Sequence, residues 1–127
     1  MMTLAALAKK YANEDLGYVY VMEYKFQTKA SSKTLYKVGI TKNQPIDRML
    51  EISRSFFQKR RYIPESKLIR FRKVPDYYKL EQELHKLLID SKYGFKLKFS
   101  GSTEFFDIDI DQLLLVYDER VPLLKKK

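Results

Sequence analysis

Bulky and variable residues alternate in Gly17-Tyr18-Val19-Tyr20-Val21 and again in Tyr36-Lys37-Val38-Gly39-Ile40, the two-residue period of a strand. This predicts strands over 17–24 and 34–41, joined by a Lys/Ser/Thr-rich hairpin loop over 27–33. Upstream, Leu4, Leu7, Ala8 and Tyr11 share one face of a short helix that Thr3 can cap. Downstream, Asn43 as N-cap and Pro45 in the first turn open a helix with Ile46, Met49, Leu50, Ser53 and Phe57 on one side. Pro64 breaks the chain, and 67–74 alternates as a third strand. Asp76 starts the longest helix, expected over 76–90, with Tyr77, Leu80, Leu84, Leu87 and Leu88 as its apolar stripe. A short strand over 103–108 and a helix over 109–119 capped by Asp109 follow. The order predicts an α+β fold: a small, mainly antiparallel sheet of three core strands plus a short late strand, flanked by helices.

Strand parity sorts the side chains. Tyr18, Tyr20, Met22 and Tyr24 share one face of the first strand, and Val19 and Val21 the other. On the second strand Leu35, Lys37, Gly39 and Thr41 oppose Tyr36, Val38 and Ile40. The valines and Ile40 therefore form a core face. The opposite face, expected to be open, brings Tyr20 and Lys37 within reach of each other beside the bare backbone of Gly39, a combination suited to a phosphate. From parity alone the better reading of Tyr20 is a packed strand aromatic.

Composition narrows the class. The 127 residues suit one domain, and 45% hydrophobic with 32% charged residues is ordinary globular usage. No apolar run nears the roughly eighteen residues of a membrane span, no secretory leader is evident, and no cysteine is present. A cytoplasmic protein without membrane association is expected. The net charge of +9 points to a polyanionic partner. Arg54, Lys59, Arg60, Arg61, Lys67, Arg70, Arg72 and Lys73 crowd one stretch, interleaved with Phe56, Phe57, Tyr62 and Phe71. Arg54, Lys59, Arg60, Arg61, Arg70, Arg72 and Lys73 are the expected nucleic-acid contacts, in preference to a merely solvated surface. The terminal Lys125, Lys126 and Lys127 add less, since charged tails often only aid solubility.

The two strand motifs, an arginine on the next helix and a glutamate on a later one resemble the GIY-YIG nuclease superfamily. Gly17-Tyr18-Val19-Tyr20 stands at the first motif and Lys37-Val38-Gly39 at the second. Lys37-Val38-Gly39, Glu81-Gln82-Glu83-Leu84-His85 and Thr103-Glu104-Phe105-Phe106 most resemble the phage T5 open-reading-frame / meiotically up-regulated gene branch. The resemblance spans residues 17–108, between an N-terminal helix (1–16) and a C-terminal helix with basic tail (109–127). It implies metal-assisted phosphodiester hydrolysis, on DNA ahead of RNA, with Tyr20, Lys37, Arg48, Glu81 and His85 as catalytic residues and Mg²⁺ or Mn²⁺ on Glu81. Lys37 replaces the second motif's tyrosine, and the asparagine that ends many superfamily sites has no counterpart. Lys37 is expected to orient the attacking water or the phosphate, and its charge to favour a tyrosinate at Tyr20.

Helical geometry places Glu81 at the edge of its apolar stripe, with His85 one turn beyond on the same side and Glu83 pointing to solvent. By spacing alone Glu81 is a surface acid, His85 half of a surface pair, and Arg48 a solvated arginine well off its helix's apolar face. Glu104 either bonds to site groups or simply opens the last strand. A double-strand break needs a dimer, a second encounter or a protein partner. The other class of function is a non-catalytic nucleic-acid- or protein-binding module on the same scaffold.

Overall fold

A computed structural model describes residues 16–27 and 31–123. The expected N-terminal helix and the basic tail at 125–127 lie outside the described residues. Strands β1 (Gly17–Gln27), β2 (Ser32–Thr41), β3 (Glu65–Val74) and β4 (Phe105–Phe106) form one antiparallel sheet in the order β3-β1-β2-β4. Among the described residues three helices flank it: α1 (Pro45–Arg60), α2 (Tyr77–Leu87) and α3 (Ile110–Arg120). The α+β class, the hairpin and the short late strand are as expected. β1 and β2 run further toward each other than expected, because their alternation continues through Phe26 and Lys33, which pair in register.

Both faces of the sheet are covered. Val19, Val21, Tyr36 and Val38 meet Leu84 and Leu88 from the α2 side and Leu113 and Tyr117 from α3. Tyr20, Met22, Tyr24, Phe26 and Leu35 meet Met49, Ile52 and Phe56 of α1, with Phe99 and Phe105. The second face was expected to be open. It is closed because its residues are aromatic, and α1 plus residues 93–99 bury them in a cluster of ring contacts, Phe26–Phe56 and Phe56–Phe99 each 5.1 Å between centroids.

Helix ends follow local chemistry, with three corrections. Gln44, not Asn43, is the N-cap of α1, directly before Pro45, and its side chain makes no cap bond. The buried side of α1 is Pro45, Met49, Ile52, Ser53 and Phe56, while Ile46, Leu50 and Phe57 are exposed. Pro45, Met49, Ile52 and Phe56 recur at helical three-four spacing, so the stripe that meets the aromatic cluster lies beside the one expected. α2 ends at Leu87, and residues Ile89–Ser91 form a short 3₁₀ turn, leaving Leu87 exposed. α3 begins as expected: the Asp109 carboxylate accepts from the N–H groups of Asp111 and Gln112 at 2.8 and 3.3 Å.

Candidate active site

Tyr20 sits opposite Gly39 in the β1–β2 register, and Met22 opposite Lys37. A side chain at Gly39 would run into the Tyr20 hydroxyl and lie 2.9 Å from Lys37 Nζ. Glycine there is a space requirement: the missing methyl is the room in which a phenol and an ammonium meet. Gly101 does the same from above, at a φ of +80°, since a Cβ would lie 2.6 Å from Lys37 Cε. Lys37 Nζ is 5.4 Å from the Tyr20 ring centre and 2.8 Å from Glu104 Oε2.

The electrostatics of this cluster are those of charges withdrawn from water. Lys37 has 0% exposure. Burial pushes its pKa down, and the Glu104 carboxylate beside it opposes that shift. Tyr20 is equally buried, and its hydroxyl has no hydrogen-bond partner among the described residues. Burial, with the Glu104 carboxylate, holds its pKa above the ordinary phenol value. The Arg48 guanidinium is near enough to draw that pKa down but makes no well-aligned bond to the phenol oxygen. The expectation that Lys37 favours a tyrosinate is therefore corrected: its charge is answered by Glu104, and burial keeps the phenol neutral.

Arg48 points inward because the buried stripe of α1 runs past it. Its Nη1 donates to Ser100 Oγ and to Glu51 Oε2, both at 3.0 Å. Ser100 in turn is held by its N–H donating to Ser55 Oγ at 2.8 Å. The expectation of a solvated arginine fails for the same reason as the misplaced stripe.

From the other side of the sheet α2 delivers Glu81 and His85. β4 pairs with β2 only at Tyr36 and Lys37, so from Val38 onward that side of β2 has no strand neighbour among the described residues. His85 occupies this edge, with Nε2 at 2.8 Å from the Val38 carbonyl oxygen. A carbonyl only accepts, so the bond assigns the proton to Nε2 and, in the neutral ring, leaves Nδ1 with its lone pair. Glu81 is 6% exposed, far from a surface acid. Burial first, then the neighbouring Glu104, raises its pKa to about 7. Donor atoms of Glu81, His85 and Glu104 lie within 4.8 Å of one another. Two carboxylates that repel at close range, together with an imidazole oriented by a carbonyl, fit one divalent cation. The oxygens suit Mg²⁺ or Mn²⁺, and the nitrogen tilts the set toward Mn²⁺.

All five expected catalytic residues thus converge around one edge of β2, from β1, β2, α1 and α2. The basic residues do not. Arg54, Lys59, Arg60 and Arg61 are exposed on α1 and just beyond its end. Arg70 and Arg72 project from β3 to the opposite face, where both pair with Asp118 of α3 at 2.5 and 2.8 Å, and Arg72 also donates to the Val121 carbonyl at 2.7 Å. Lys73 lies over the Tyr18 ring at 5.8 Å. Strand parity thus divides the basic run between two faces of the sheet.

Glu104 was undecided in the sequence and Ser100 unnoticed. Glu104 directly precedes the buried pair Phe105 and Phe106, which forces its carboxylate to the margin of both cores.

The T5orf172 domain model matches residues 17–120. The chain belongs to this family. It is a nuclease-related family, in agreement with the GIY-YIG resemblance of the strand motifs and helices. The T5orf172 match begins with β1 and runs to the end of α3, so every group of the β2 edge lies inside it. No curated protein and no solved structure matches the chain. No helix among the described residues is long and apolar enough to cross a membrane.

Proposed function

We propose that this T5orf172 domain is an endonuclease that hydrolyses phosphodiester bonds, DNA ahead of RNA, with one divalent ion held by Glu81, Glu104 and His85 Nδ1. The observation that carries the reading is the meeting of a buried unpartnered phenol, a guanidinium, an ammonium and two crowded carboxylates at one edge of β2. When bound, the metal polarises the phosphate and offsets charge on the leaving 3′ oxygen. Arg48 presents a planar fork to the non-bridging oxygens as negative charge builds on them. Tyr20, kept neutral by burial, positions the attacking water or a phosphate oxygen through its hydroxyl rather than acting as base. Lys37 holds Glu104 in place across the site and lends positive potential to the same spot.

A plasmid- and oligonucleotide-cleavage assay with Mg²⁺ or Mn²⁺, with and without chelator, tests this. Glu81→Ala and Arg48→Ala should each lower the cleavage rate on the order of a hundredfold or more. If both variants cut like wild type, the site is wrong.

One observation favours the second reading, a binding module without turnover: the Lys37–Glu104 pair already neutralises the groups beside the phenol. Salt-sensitive binding without any metal-dependent cutting would establish it.

A further inference from the structure

An open cavity of about 690 Å³ lies at the other end of the aromatic face, where β1 ends and β2 begins. Tyr62, Tyr93 and Phe95 line it, with Lys33, Arg60 and Lys96 among its walls. None of these residues takes part in the β2-edge cluster. Lys33 Nζ sits 5.5 Å from the centre of the Tyr93 ring and is tied to Asp107 at 2.7 Å, which fixes the ring's surroundings. The Tyr93 and Phe95 rings meet edge to face at 4.8 Å.

A connection runs from this cavity to the candidate active site. Residues 92–101 carry no long helix or strand, yet they alternate: Lys96 and Lys98 are exposed, Phe95 and Leu97 half-buried, and Phe99 buried. Ring contacts of Phe95 with Phe99 at 5.0 Å and Phe99 with Phe56 at 5.1 Å pin the segment to the sheet. It ends at Ser100, which accepts from Arg48, and at Gly101, packed on Lys37. The lysines thus mark the outer border of a path that starts at a pocket of rings and stops at the catalytic arginine.

We propose that the Tyr62–Tyr93–Phe95 pocket binds an unstacked base of single-stranded nucleic acid, whose backbone then follows Lys96 and Lys98 to the β2 edge. Recessed rings with cations at the rim are a stacking platform beside an electrostatic track. Every base has a face that can stack on such a ring, and a fully paired duplex keeps its bases out of reach. Cations at the rim favour a phosphate chain over an uncharged apolar ligand. Phe26 at the pocket and Tyr20 at the site are six residues apart on β1, roughly 20 Å at strand rise. A stacked strand covers that distance in about six nucleotides. The substrate class is therefore nucleic acid with an unpaired stretch. This rests on the reading of the β2 edge as acting on nucleic acid.

Fluorescence anisotropy in chelator, with a 20-nucleotide single strand and a blunt duplex of equal length, separates this from cleavage. Wild type should bind the single strand about tenfold more tightly than the duplex. Lys96→Glu/Lys98→Glu should weaken single-strand binding at least tenfold and lower the log–log salt slope by about 1.4. Lys67→Glu/Arg120→Glu, the same charge change on exposed positions away from the pocket, should weaken it no more than about threefold. Tyr93→Leu keeps apolar volume but removes the ring, and should abolish the single-strand preference while the melting temperature holds. Equal affinity for single strand and duplex, or equal losses in both double variants, would overturn the proposal. If those results come with metal-dependent cleavage intact, the pocket fails and the endonuclease reading stands. If wild type neither binds nor cuts, both fail.

Discussion

Two buried tyrosines on opposite faces of the sheet have opposite fates. On the face packed by α2 and α3, the Tyr117 hydroxyl donates to the Val19 carbonyl at 2.6 Å, although the Arg72 guanidinium lies over its ring at 5.2 Å. On the face packed by α1, Tyr20 is as deeply buried, but its hydroxyl has no hydrogen-bond partner among the described residues, and its neighbours are an ammonium, a guanidinium and a carboxylate. Tyr24, on that same face, donates to the Met49 carbonyl at 3.2 Å, so burial there does not by itself orphan a phenol. Tyr117 thus has its polar atom satisfied within its own core, where it serves stability. The end of the other face near Gly39 keeps charge and an unsatisfied donor out of water, an arrangement that is costly to the fold and suited to chemistry.

The largest expected effect tests the cost of that arrangement. Lys37→Met removes a side chain with no solvent exposure from Glu104, which retains 28%. Breaking a buried ion pair this way should destabilise the protein by about 3 kcal/mol, the low end of the usual range because Glu104 stays partly hydrated. Urea denaturation measures it, and a loss below about 1 kcal/mol would mean the pair adds little to the site.

Next comes pH. Glu81 holds its proton to about pH 7 in the fold, against an ordinary value of 4.5. An acid whose pKa rises on folding contributes stability below its unfolded pKa and loses it as pH rises through the folded one. Metal-free protein should therefore lose on the order of 2 kcal/mol from this group between about pH 4.5 and pH 7. Glu81→Gln, compared with wild type by thermal melting across that range, isolates the effect. Mn²⁺ added at pH 8 should raise the wild-type melting temperature and not that of Glu81→Gln. Parallel melting curves for the two proteins at all pH values would show that the carboxyl is not strained.

The tyrosines can be set directly against each other. Tyr117→Phe should cost about 1–2 kcal/mol, the loss of a buried bond, with cleavage unchanged. Tyr20→Phe should leave stability within about 0.5 kcal/mol of wild type, since no bond is lost, yet slow cleavage at least tenfold. Equal stability losses would erase the distinction between the faces.

The smallest effect concerns the arginines behind the sheet. Asp118→Ala frees Arg70 and Arg72 from partly exposed pairs and should cost under about 1 kcal/mol. Oligonucleotide affinity should change less than threefold. A tenfold gain would place these arginines on the nucleic-acid surface after all.

What the sequence revealed tracks how local each determinant is. The strands and their parity were legible because alternation is written in neighbouring residues, and parity correctly put Tyr20, Lys37 and Gly39 on one face. The openness of that face was misjudged, since its cover comes from α1 and residues 93–99, whose packing no strand pattern encodes. Arg48 was misplaced because the helix offers two adjacent apolar stripes, and only the ring cluster selects the one through Ile52 and Phe56. Arg70 and Arg72 look like part of a continuous basic run in linear sequence, but two-residue parity sends them to Asp118. Glu104 acquires its role from a lysine 67 positions away.

That separation has a consequence for the protein during its own synthesis. The Lys37–Glu104 bond and the Gly101 wall close the site only once residues 101–104 have been made, and contacts of such long range form late. A partly made chain can carry the whole β1–β2 hairpin and the helical arginine and still lack the carboxylate that completes the cluster. On this architecture the cluster stays incomplete in any product that ends before residue 104.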